Sequence, residues 1–569
     1  MPGFFISNCI SNGKNFKLVN NCESKLYSDC IDNKDFIIKR TSLDNFRQDK
    51  VFYENDEYII IIEGVVCNAT ELNQLHGKNN FKDTVIEMVS CDMEFFKNLR
   101  GAFSGAVYYK EEAKWVVFTD QLGSHPVYYY YGNKVFIIGS QMNYVTDFMR
   151  TIGLKRQESL HGVHCLLDWG YLIDDETIVK DVKRLYPGHY IVIDNENLLI
   201  RTYYLANYNE KEDTYESYIQ SLDNAFTNAV NRIVNKNIEN GYKTAIEISG
   251  GLDSRMVAFK LRELGENIDV LAHSFSQYGS YEQKIATEVA LRLNFQFIHT
   301  ILDTDSFIKD IEETMLLNNG ASYYIGLQAG KNVSELFDKD VIGIQLSGLM
   351  GDMRDSSMLC NNGNDMPNIS DGCRFRTSSK YRLNKFSDKS NVISKFNKNE
   401  VFWLYTRGIL AGMNTVMARQ NYVEVMTPFG DVEFLEAYLS IPWEIRVEKR
   451  LLLEWMKIKY PEAAKIKYAS TYLPAAITES KMQRILTPII HKIMRVFKGK
   501  KFDMTDVDKW MKNKDNSEAV NNYYALNISS INCSEPIRKK LNDLFESGDY
   551  QDKYVALSVI AAYKLYLGA

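Results

Sequence analysis

The stretch that decides the fold is Thr244-Ala-Ile-Glu-Ile-Ser-Gly-Gly-Leu-Asp-Ser-Arg255. Its apolar start, 244–248, predicts a buried strand, and two glycines then form a short loop before a helix begins. Such a junction directs backbone N–H groups and the positive end of the helix dipole at one place. Ser249, Asp253 and Ser254 add two hydroxyls, which suit phosphate oxygens, and a carboxylate, which suits a magnesium ion. The stretch therefore predicts a site for ATP and Mg²⁺.

The loop differs from the common phosphate loop G-x-x-x-x-G-K-[ST], because no lysine follows its glycines. It resembles the pyrophosphate loop of enzymes that split ATP into AMP and pyrophosphate while they adenylate a carbonyl group. A pair of glycines alone would equally suit a tight turn without a ligand. Six matching residues between a strand and a helix favour the nucleotide site. The nucleotide-binding residues expected in this loop are Ser249, Gly250, Gly251, Asp253 and Ser254.

Composition limits the class of protein. The 569 residues are 45% hydrophobic and 12% aromatic, so two domains with well-buried cores are expected. The net charge of -6, without a long run of one sign, argues against nucleic acid or an anionic membrane as a partner. Nine scattered cysteines without a C-x-x-C pair argue against a disulfide framework and a zinc site. With neither a secretory signal nor a spanning apolar stretch, we expect a cytoplasmic protein.

Two patterns divide the chain. Up to about residue 205, short β-rich runs are separated by Gly, Asn and Asp, which is typical of antiparallel sheets. From about Tyr215, helical patterns alternate with apolar strands, and this predicts a parallel sheet covered by helices. The sequence thus predicts an α/β protein with an antiparallel sandwich domain at 1–205 and a parallel-sheet domain at 206–569. Ligands of such parallel sheets bind beyond the carboxyl ends of the strands, where the Gly-rich loop lies.

A second junction of the same kind follows the strand predicted at 341–346. The next residues, Ser347-Gly-Leu-Met-Gly-Asp352, again place a serine, two glycines and a carboxylate at the end of a strand. Neighbouring parallel strands would hold Asp253 and Asp352 across one crevice, where both could bind a magnesium ion on the ATP phosphates. Alone, Asp352 would suit a turn or a helix cap. Beside the first loop, the metal-binding role is favoured.

From about residue 60 to 550 the chain resembles the asparagine synthetase family. The two loops are similar to the pyrophosphate loop and the second, Gly-Asp-containing loop of that family. Further matching segments are Glu424-Val-Met-Thr-Pro-Phe-Gly-Asp431, Lys449-Arg-Leu-Leu-Leu-Glu454, and Tyr460-Pro461 followed by Lys467. The resemblance implies a Rossmann-like ATP-pyrophosphatase domain that adenylates a carboxylate and releases pyrophosphate.

The resemblance also implies residue roles. Lys449, and less directly Lys467, would neutralise negative charge on the α-phosphate and the leaving pyrophosphate. Glu424 is a candidate general base, although a buried structural acid is equally compatible with its position. Main-chain groups from Leu271 to Phe275 would contact adenine. The complete expected nucleotide site adds Leu271, Ser274, Ser347 and Gly348 to the loop residues.

The N-terminal half fits the same family. Its segments Gly64–Asn68, Leu99–Gly105 and Asp120–Tyr128 resemble the glutamine amidotransferase domain, which implies an αββα sandwich of the Ntn-hydrolase type. The amidotransferase members hydrolyse glutamine with a cysteine directly after the initiator Met, and its free amine is the base.

In this chain Pro2 follows Met1, and the first cysteine is Cys9. Val85 also stands where an acidic contact to glutamine would be expected. We therefore expect a domain without glutaminase activity, as in β-lactam synthetases and lasso-peptide cyclases.

The sequence thus favours an ATP- and Mg²⁺-dependent, AMP-forming amide ligase. Its substrate would be a small molecule or peptide that carries a carboxylate and an amine. Leu349 stands where asparagine synthetases carry an acid and β-lactam synthetases a tyrosine, so the residue that deprotonates the amine stays open. An intramolecular amine would make the protein a cyclase, and ammonia or a second metabolite would make it an intermolecular synthetase.

One alternative function is that of a nucleotide-binding homologue without catalysis. A second, a tRNA-modifying pyrophosphatase, is disfavoured by the N-terminal half and by the acidic net charge. A homodimer is compatible with the sequence. The polar segment 361–400 predicts a surface loop or an inserted lid, and the basic run 495–501 predicts a solvated helix end.

Overall fold

A computed structural model describes residues 2–10, 16–18, 26–194, 197–302, 310–351, 363–369, 376–382, 392–469, 473–474 and 504–568. Asp352, parts of the 361–400 segment and the basic run 495–501 lie outside these residues. Within the described ranges, no helix combines the length and the apolar character that a membrane crossing requires.

Two six-stranded antiparallel sheets form the N-terminal part, in the orders β10-β8-β9-β1-β3-β2 and β12-β11-β7-β6-β5-β4. The strands are β1 (Gly3–Ser7), β2 (Tyr27–Asp32), β3 (Ile37–Ser42), β4 (Val51–Glu54), β5 (Tyr58–Val66), β6 (Gly101–Tyr109), β7 (Lys114–Thr119), β8 (Tyr128–Gly132), β9 (Val135–Gly139), β10 (Val182–Arg184), β11 (His189–Ile193) and β12 (Leu198–Thr202). The helices are α1 (Ala69–Leu75), α2 (Phe81–Cys91), α3 (Met142–Thr151) and α4 (Leu160–Trp169).

The isoleucine run 59–62 in β5 shows how these sheets pack. Ile59 and Ile61 join the core between the two sheets, and Ile60 and Ile62 join the core under α1 and α2. Successive side chains of a strand point to opposite faces, so this apolar run is buried on both sides of the sheet. Helix α3 packs on the outer face of the other sheet. The layers are therefore α, β, β and α, as the sequence predicts.

The C-terminal part contains a five-stranded parallel sheet in the order β15-β14-β13-β16-β17. Its strands are β13 (Lys243–Glu247), β14 (Val270–Ser276), β15 (Gln296–Ile301), β16 (Ile342–Leu346) and β17 (Glu424–Met426). The helices are α5 (Tyr215–Glu239), α6 (Asp253–Leu264), α7 (Tyr281–Arg292), α8 (Ile311–Leu317), α9 (Leu327–Glu335), α10 (Asn399–Trp403), α11 (Gly412–Asn414), α12 (Val432–Leu439), α13 (Trp443–Arg446), α14 (Arg450–Lys459), α15 (Pro461–Lys465), α16 (Val507–Met511), α17 (Lys514–Asn527), α18 (Glu535–Ser547) and α19 (Tyr550–Ala562).

This sheet confirms the predicted fold class. The strands expected at 244–248 and 341–346 lie side by side as β13 and β16, so the two loops that follow them leave the sheet at the same edge. The predicted domain boundary after residue 205 falls between β12 and α5, and it stays a prediction.

Buried polar contacts join the two parts of the chain. Lys236 of α5 places its Nζ 2.6 Å from Oδ1 of Asp49 in the N-terminal part, and both side chains are almost fully buried. Burial raises the pKa of Asp49 to about 6, although the Lys236 ammonium opposes this shift. The Arg184 guanidinium donates to Oδ1 of Asn414 across the same interface, at 2.7 Å. The sandwich and the parallel-sheet part therefore form one packed body.

A single asparagine of α5 determines how β16 lies beside β13. The register shifts between the pairs Lys243–Ile342 and Ala245–Gln345, so that one residue of β13 lies opposite two of β16. The Asn237 side chain accepts from the Ile344 N–H at 2.7 Å and donates to the Ile344 carbonyl at 3.2 Å. Its amide therefore takes the place of a strand partner at this irregularity.

We predict that Asn237→Leu lowers the free energy of unfolding by about 2–3 kcal/mol, because it leaves two buried backbone groups of Ile344 without partners. A urea titration followed by tryptophan fluorescence measures the change. The control is Asn224→Leu on the same helix, where the exposed asparagine bonds only to Gln220 within the described contacts. We expect that control to change stability by less than about 0.5 kcal/mol. Equal midpoints for the two variants would contradict the role of Asn237.

Candidate active site

The Gly-rich loop lies between β13 and α6, as the sequence predicts. The Ser249 N–H donates to Ser254 Oγ at 3.0 Å, and the two hydroxyl oxygens are 2.9 Å apart. The Gly251 N–H donates to Ser249 Oγ at 3.1 Å, and the Gly250 N–H donates to the Glu282 carboxylate at 2.9 Å. The two serines thus tie the end of the strand to the first turn of the helix, with their hydroxyls side by side.

The second loop packs directly against the first. A Cβ atom on Gly348 would lie 2.5 Å from the backbone nitrogen of Ser254. A Cβ atom on Gly351 would lie 2.3 Å from Cγ of Asp253 and 2.6 Å from its Oδ1. Only glycine permits either contact, because real Cβ atoms do not approach this closely. The segment that ends at Gly351 therefore brings the chain to the Asp253 carboxylate.

Asp352 follows Gly351 but lies outside the described residues. Within the described part of the chain, no group of three or more His, Cys, Asp and Glu side chains could hold a metal ion. Mg²⁺ is commonly bound by one or two carboxylates together with substrate phosphates, so a site of Asp253 and one further acid fits this ion. The donor set present is thus compatible with the metal that the sequence predicts.

Lys449 is connected to the first loop by way of Tyr468 and Ala469. Its ammonium lies 5.8 Å from the centre of the Tyr468 ring, and the next residue, Ala469, donates its N–H to the Gly250 carbonyl at 3.1 Å. Lys449 has a φ of 64°, a left-handed conformation that is unusual for a residue with a side chain. Strained backbone of this kind is frequent at functional sites, and here it marks the start of α14.

Lys467 is exposed, and Arg255 fixes its backbone. The fully buried Arg255 guanidinium donates to the carbonyls of Ala463, Ile466 and Lys467, at 3.2, 2.9 and 2.6 Å. Burial lowers the pKa of Arg255 to about 10. Arg255 is the first residue after the Gly-rich loop motif, so it connects that loop to the segment that carries Lys467. This connection was not predicted from the sequence, although Arg255 directly follows the loop motif.

The structure gives Glu424 a partner in the N-terminal part. Its Oε2 lies 3.0 Å from Nε2 of His125, and both side chains are buried. Burial alone would lower the pKa of His125, but the attraction and hydrogen bond of Glu424 outweigh it, and the pKa is raised above 6.5. Of the two readings that the sequence left open, this contact favours the buried structural acid over the general base.

The adenine contacts expected along β14 stay a prediction. Leu271 lies near the amino end of this interior strand, where its backbone is paired with Ala245 and Gln296 on both sides. The crevice lies beyond the carboxyl end of this strand, nearer to Ser274 than to Leu271. The Ser274 hydroxyl lies 2.7 Å from Nδ1 of His299 on the neighbouring strand. Ser347 lies at the crevice, and its N–H donates to the Met426 carbonyl at 2.9 Å.

Four N-terminal positions bear on the chemistry that the sandwich could perform. Cys67 is buried, and its burial raises the pKa of the thiol to about 12. Val85 is fully buried in the core under α1 and α2. Pro2 is buried at the start of β1, where its carbonyl accepts from the Gln141 side chain at 3.0 Å. Cys9 lies beyond the opposite end of the same strand.

We predict a pH dependence of stability from the His125–Glu424 pair. A histidine whose pKa is raised by folding stabilises the folded state in full below about pH 6.5. This contribution is lost as the pH rises through the pKa that the histidine has in the folded protein. The thermal midpoint between about pH 6.5 and 8.5 should therefore fall less in Glu424→Gln than in the wild type. The control is Glu87→Gln, which removes the partner of His76 at the surface. The same pH slope in wild type and Glu424→Gln would contradict the prediction.

Comparisons with known proteins agree with this geometry. The model for a glutamine amidotransferase domain matches residues 42–204, and the model for asparagine synthase matches residues 224–322. The chain is 21% identical over 268 residues to asparagine synthetase [glutamine-hydrolyzing] 1 of Bacillus subtilis, a match that covers 46% of this chain and 41% of the relative. It is 24% identical over 412 residues to a putative asparagine synthetase [glutamine-hydrolyzing] 1 of Methanocaldococcus jannaschii, covering 70% of this chain and 67% of the relative.

Among solved structures, glutamine phosphoribosylpyrophosphate amidotransferase from B. subtilis matches 48% of this chain and 77% of its own, at 10% identity and a TM-score of 0.23, a similarity too low to support an argument. The two domain models and the curated relatives carry the assignment. Together they support the assignment of the chain to the asparagine synthetase family.

Proposed function

We propose that the protein is an ATP- and Mg²⁺-dependent ligase that adenylates a carboxylate, releases pyrophosphate, and joins the acyl group to an amine with release of AMP. The proposal extends to the whole chain an activity that its curated relatives, matched over 41% and 67% of their lengths, carry in their names. The contact between the two loops at the carboxyl edge of the parallel sheet is the observation that carries it.

That contact places several phosphate- and metal-binding groups at one point. The paired Ser249 and Ser254 hydroxyls and the first turn of α6 face the place where a pyrophosphate group would bind. Asp253, with Asp352 as the proposed second carboxylate, would hold the magnesium ion, which neutralises phosphate charge when it is bound. These groups suit the transfer of an adenylyl group to a carboxylate.

A cation is needed near the phosphate that is attacked, because negative charge develops there and on the leaving pyrophosphate. We propose that Lys449 supplies this cation. Its ammonium lies near the ring of Tyr468, and the residue after Tyr468, Ala469, donates its N–H to the Gly250 carbonyl. Lys467 would contribute from the same segment. Glu424 is left out of the proposed catalytic groups, because its carboxylate is engaged with His125.

The proposed ligase does not hydrolyse glutamine. The described residues place no thiol at the amino end of β1, where Pro2 is packed against Gln141. Cys67 is too buried and too weakly acidic to act as a thiolate nucleophile. The sandwich would then serve as a scaffold, and the amine would come from the substrate itself, from a second metabolite or from free ammonia.

We predict that Asp253→Asn lowers the formation of AMP and pyrophosphate at least about 100-fold, because it removes charge from the proposed metal site. The assay follows both products from ATP and Mg²⁺ with candidate carboxylates and amines, including aspartate with ammonia. Asp269→Asn is the control, since this exposed aspartate lies at the opposite end of the same sheet, paired with Lys243. Tight ATP binding without product from any substrate would favour a nucleotide-binding homologue without catalysis.

We also predict that ammonia or an amine substrate, but not glutamine, supports amide formation. Glutamate release from glutamine should stay at background, because the thiol of Cys67 is neutral and buried. The measurement is coupled glutamate detection on the wild type and on Cys67→Ser, which should behave alike. Glutamate release at a rate that matches amide formation would refute the absence of glutaminase activity.

A further inference from the structure

The carboxylate of Glu282 is bound to the Gly-rich loop, although it lies on another element. Its Oε2 accepts the Gly250 N–H at 2.9 Å. Glu282 is the second residue of α7, and this helix start is firmly held. The Ser280 hydroxyl accepts the Gln283 N–H at 3.1 Å and lies 2.6 Å from the Ser276 hydroxyl. The carboxylate is thus presented to the loop by an ordered helix end.

The contact is on the packed side of the loop. A Cβ atom on Gly250 would lie 2.1 Å from Glu282 Oε2 and 2.6 Å from Cβ of Ala469, so both residues fill the space beside Gly250. Ala469 in addition donates its N–H to the Gly250 carbonyl. Gly250 is therefore held between Glu282, which accepts its N–H, and Ala469, which donates to its carbonyl.

The other side of the loop is more open. Among the described residues, only Ser249 Oγ lies within 4 Å of a Cβ atom placed on Gly251, at 3.1 Å. Two successive glycines give the loop wide backbone freedom, which a ligand would have to restrict on binding. The Glu282 contact fixes Gly250 on the packed side of the loop. It therefore reduces the conformational entropy that ligand binding would cost, and it leaves Gly251 accessible.

We propose that Glu282 is a positioning residue for ATP: its carboxylate fixes the Gly250 peptide on the packed side of the loop, so that Gly251 and the two serine hydroxyls face the phosphates. This inference rests on the proposed function, because it needs a nucleotide at the loop. Burial raises the pKa of Glu282, and the Gly250 N–H opposes this by stabilising the charged form. The opposite possibility, in which the carboxylate competes with phosphate for the Gly250 N–H, is an outcome of the test.

The test is calorimetric titration of the full chain with ATP and Mg²⁺, with the thermal midpoint measured in parallel without nucleotide. We expect Glu282→Ala to weaken ATP binding about tenfold, because it removes a charge-assisted hydrogen bond that orders the loop. Glu282→Gln retains an acceptor for the Gly250 N–H and should recover part of this loss. If the alanine variant does not fold, the glutamine variant carries the test.

The control is Glu288→Gln, which lies on the same helix and is paired with Arg292 at the surface. It removes the same charge without touching the loop, and we expect wild-type affinity. A matched double-mutant cycle uses Gly250→Ala, whose methyl group would displace the carboxylate. The loss of ATP affinity in the double variant should then be smaller than the sum of the losses in Gly250→Ala and Glu282→Gln.

Unchanged affinity in both Glu282 variants would overturn the inference, and tighter binding would show that the carboxylate competes with the phosphates. Both results leave the proposed function intact, because they require that the wild type binds ATP. A wild type that does not bind ATP with Mg²⁺ would instead refute the proposed function itself.

Discussion

Close contact between two glycine-containing loops is the constraint on which the site depends. Gly348 and Gly351 approach the first turn of α6 at distances that no side chain would allow. Their missing Cβ atoms let a segment nearly one hundred residues away reach Asp253. The contact also explains the sheet order, since β13 and β16 must be direct neighbours for their carboxyl ends to meet. A strand inserted between them would move the loops about 5 Å further apart and open the crevice.

The surrounding elements keep this contact in place from several directions. Asn237 completes the backbone bonding of β16 at its irregular register, which sets the position from which the second loop leaves the sheet. On the other side, Arg255 and Ala469 connect the first loop to the segment after α15. The first loop, which is rich in glycine and conformationally free, is therefore fixed both by its own serines and by hydrogen bonds from neighbouring elements.

The pattern of apolar residues was sufficient to predict most of the fold. The strands predicted at 244–248 and 341–346 lie within one residue of β13 and β16, and the adjacency of the two loops followed from the parallel topology. Contacts between distant segments were not predictable in this way. The engagement of Glu424 with His125 depends on how the two parts dock, and Glu282 looks in sequence like any acid in the first turn of a helix.

The buried ion pairs between the sandwich and the parallel-sheet part limit which deletions the protein can tolerate. Lys236 and Glu424 belong to the parallel-sheet part, but their charges are neutralised by Asp49 and His125 of the sandwich. Deleting the sandwich would leave these groups uncompensated on a newly bared apolar surface, which is far more costly than losing a surface contact. The sandwich therefore serves its neighbour as a folding partner, independently of any chemistry that it performs.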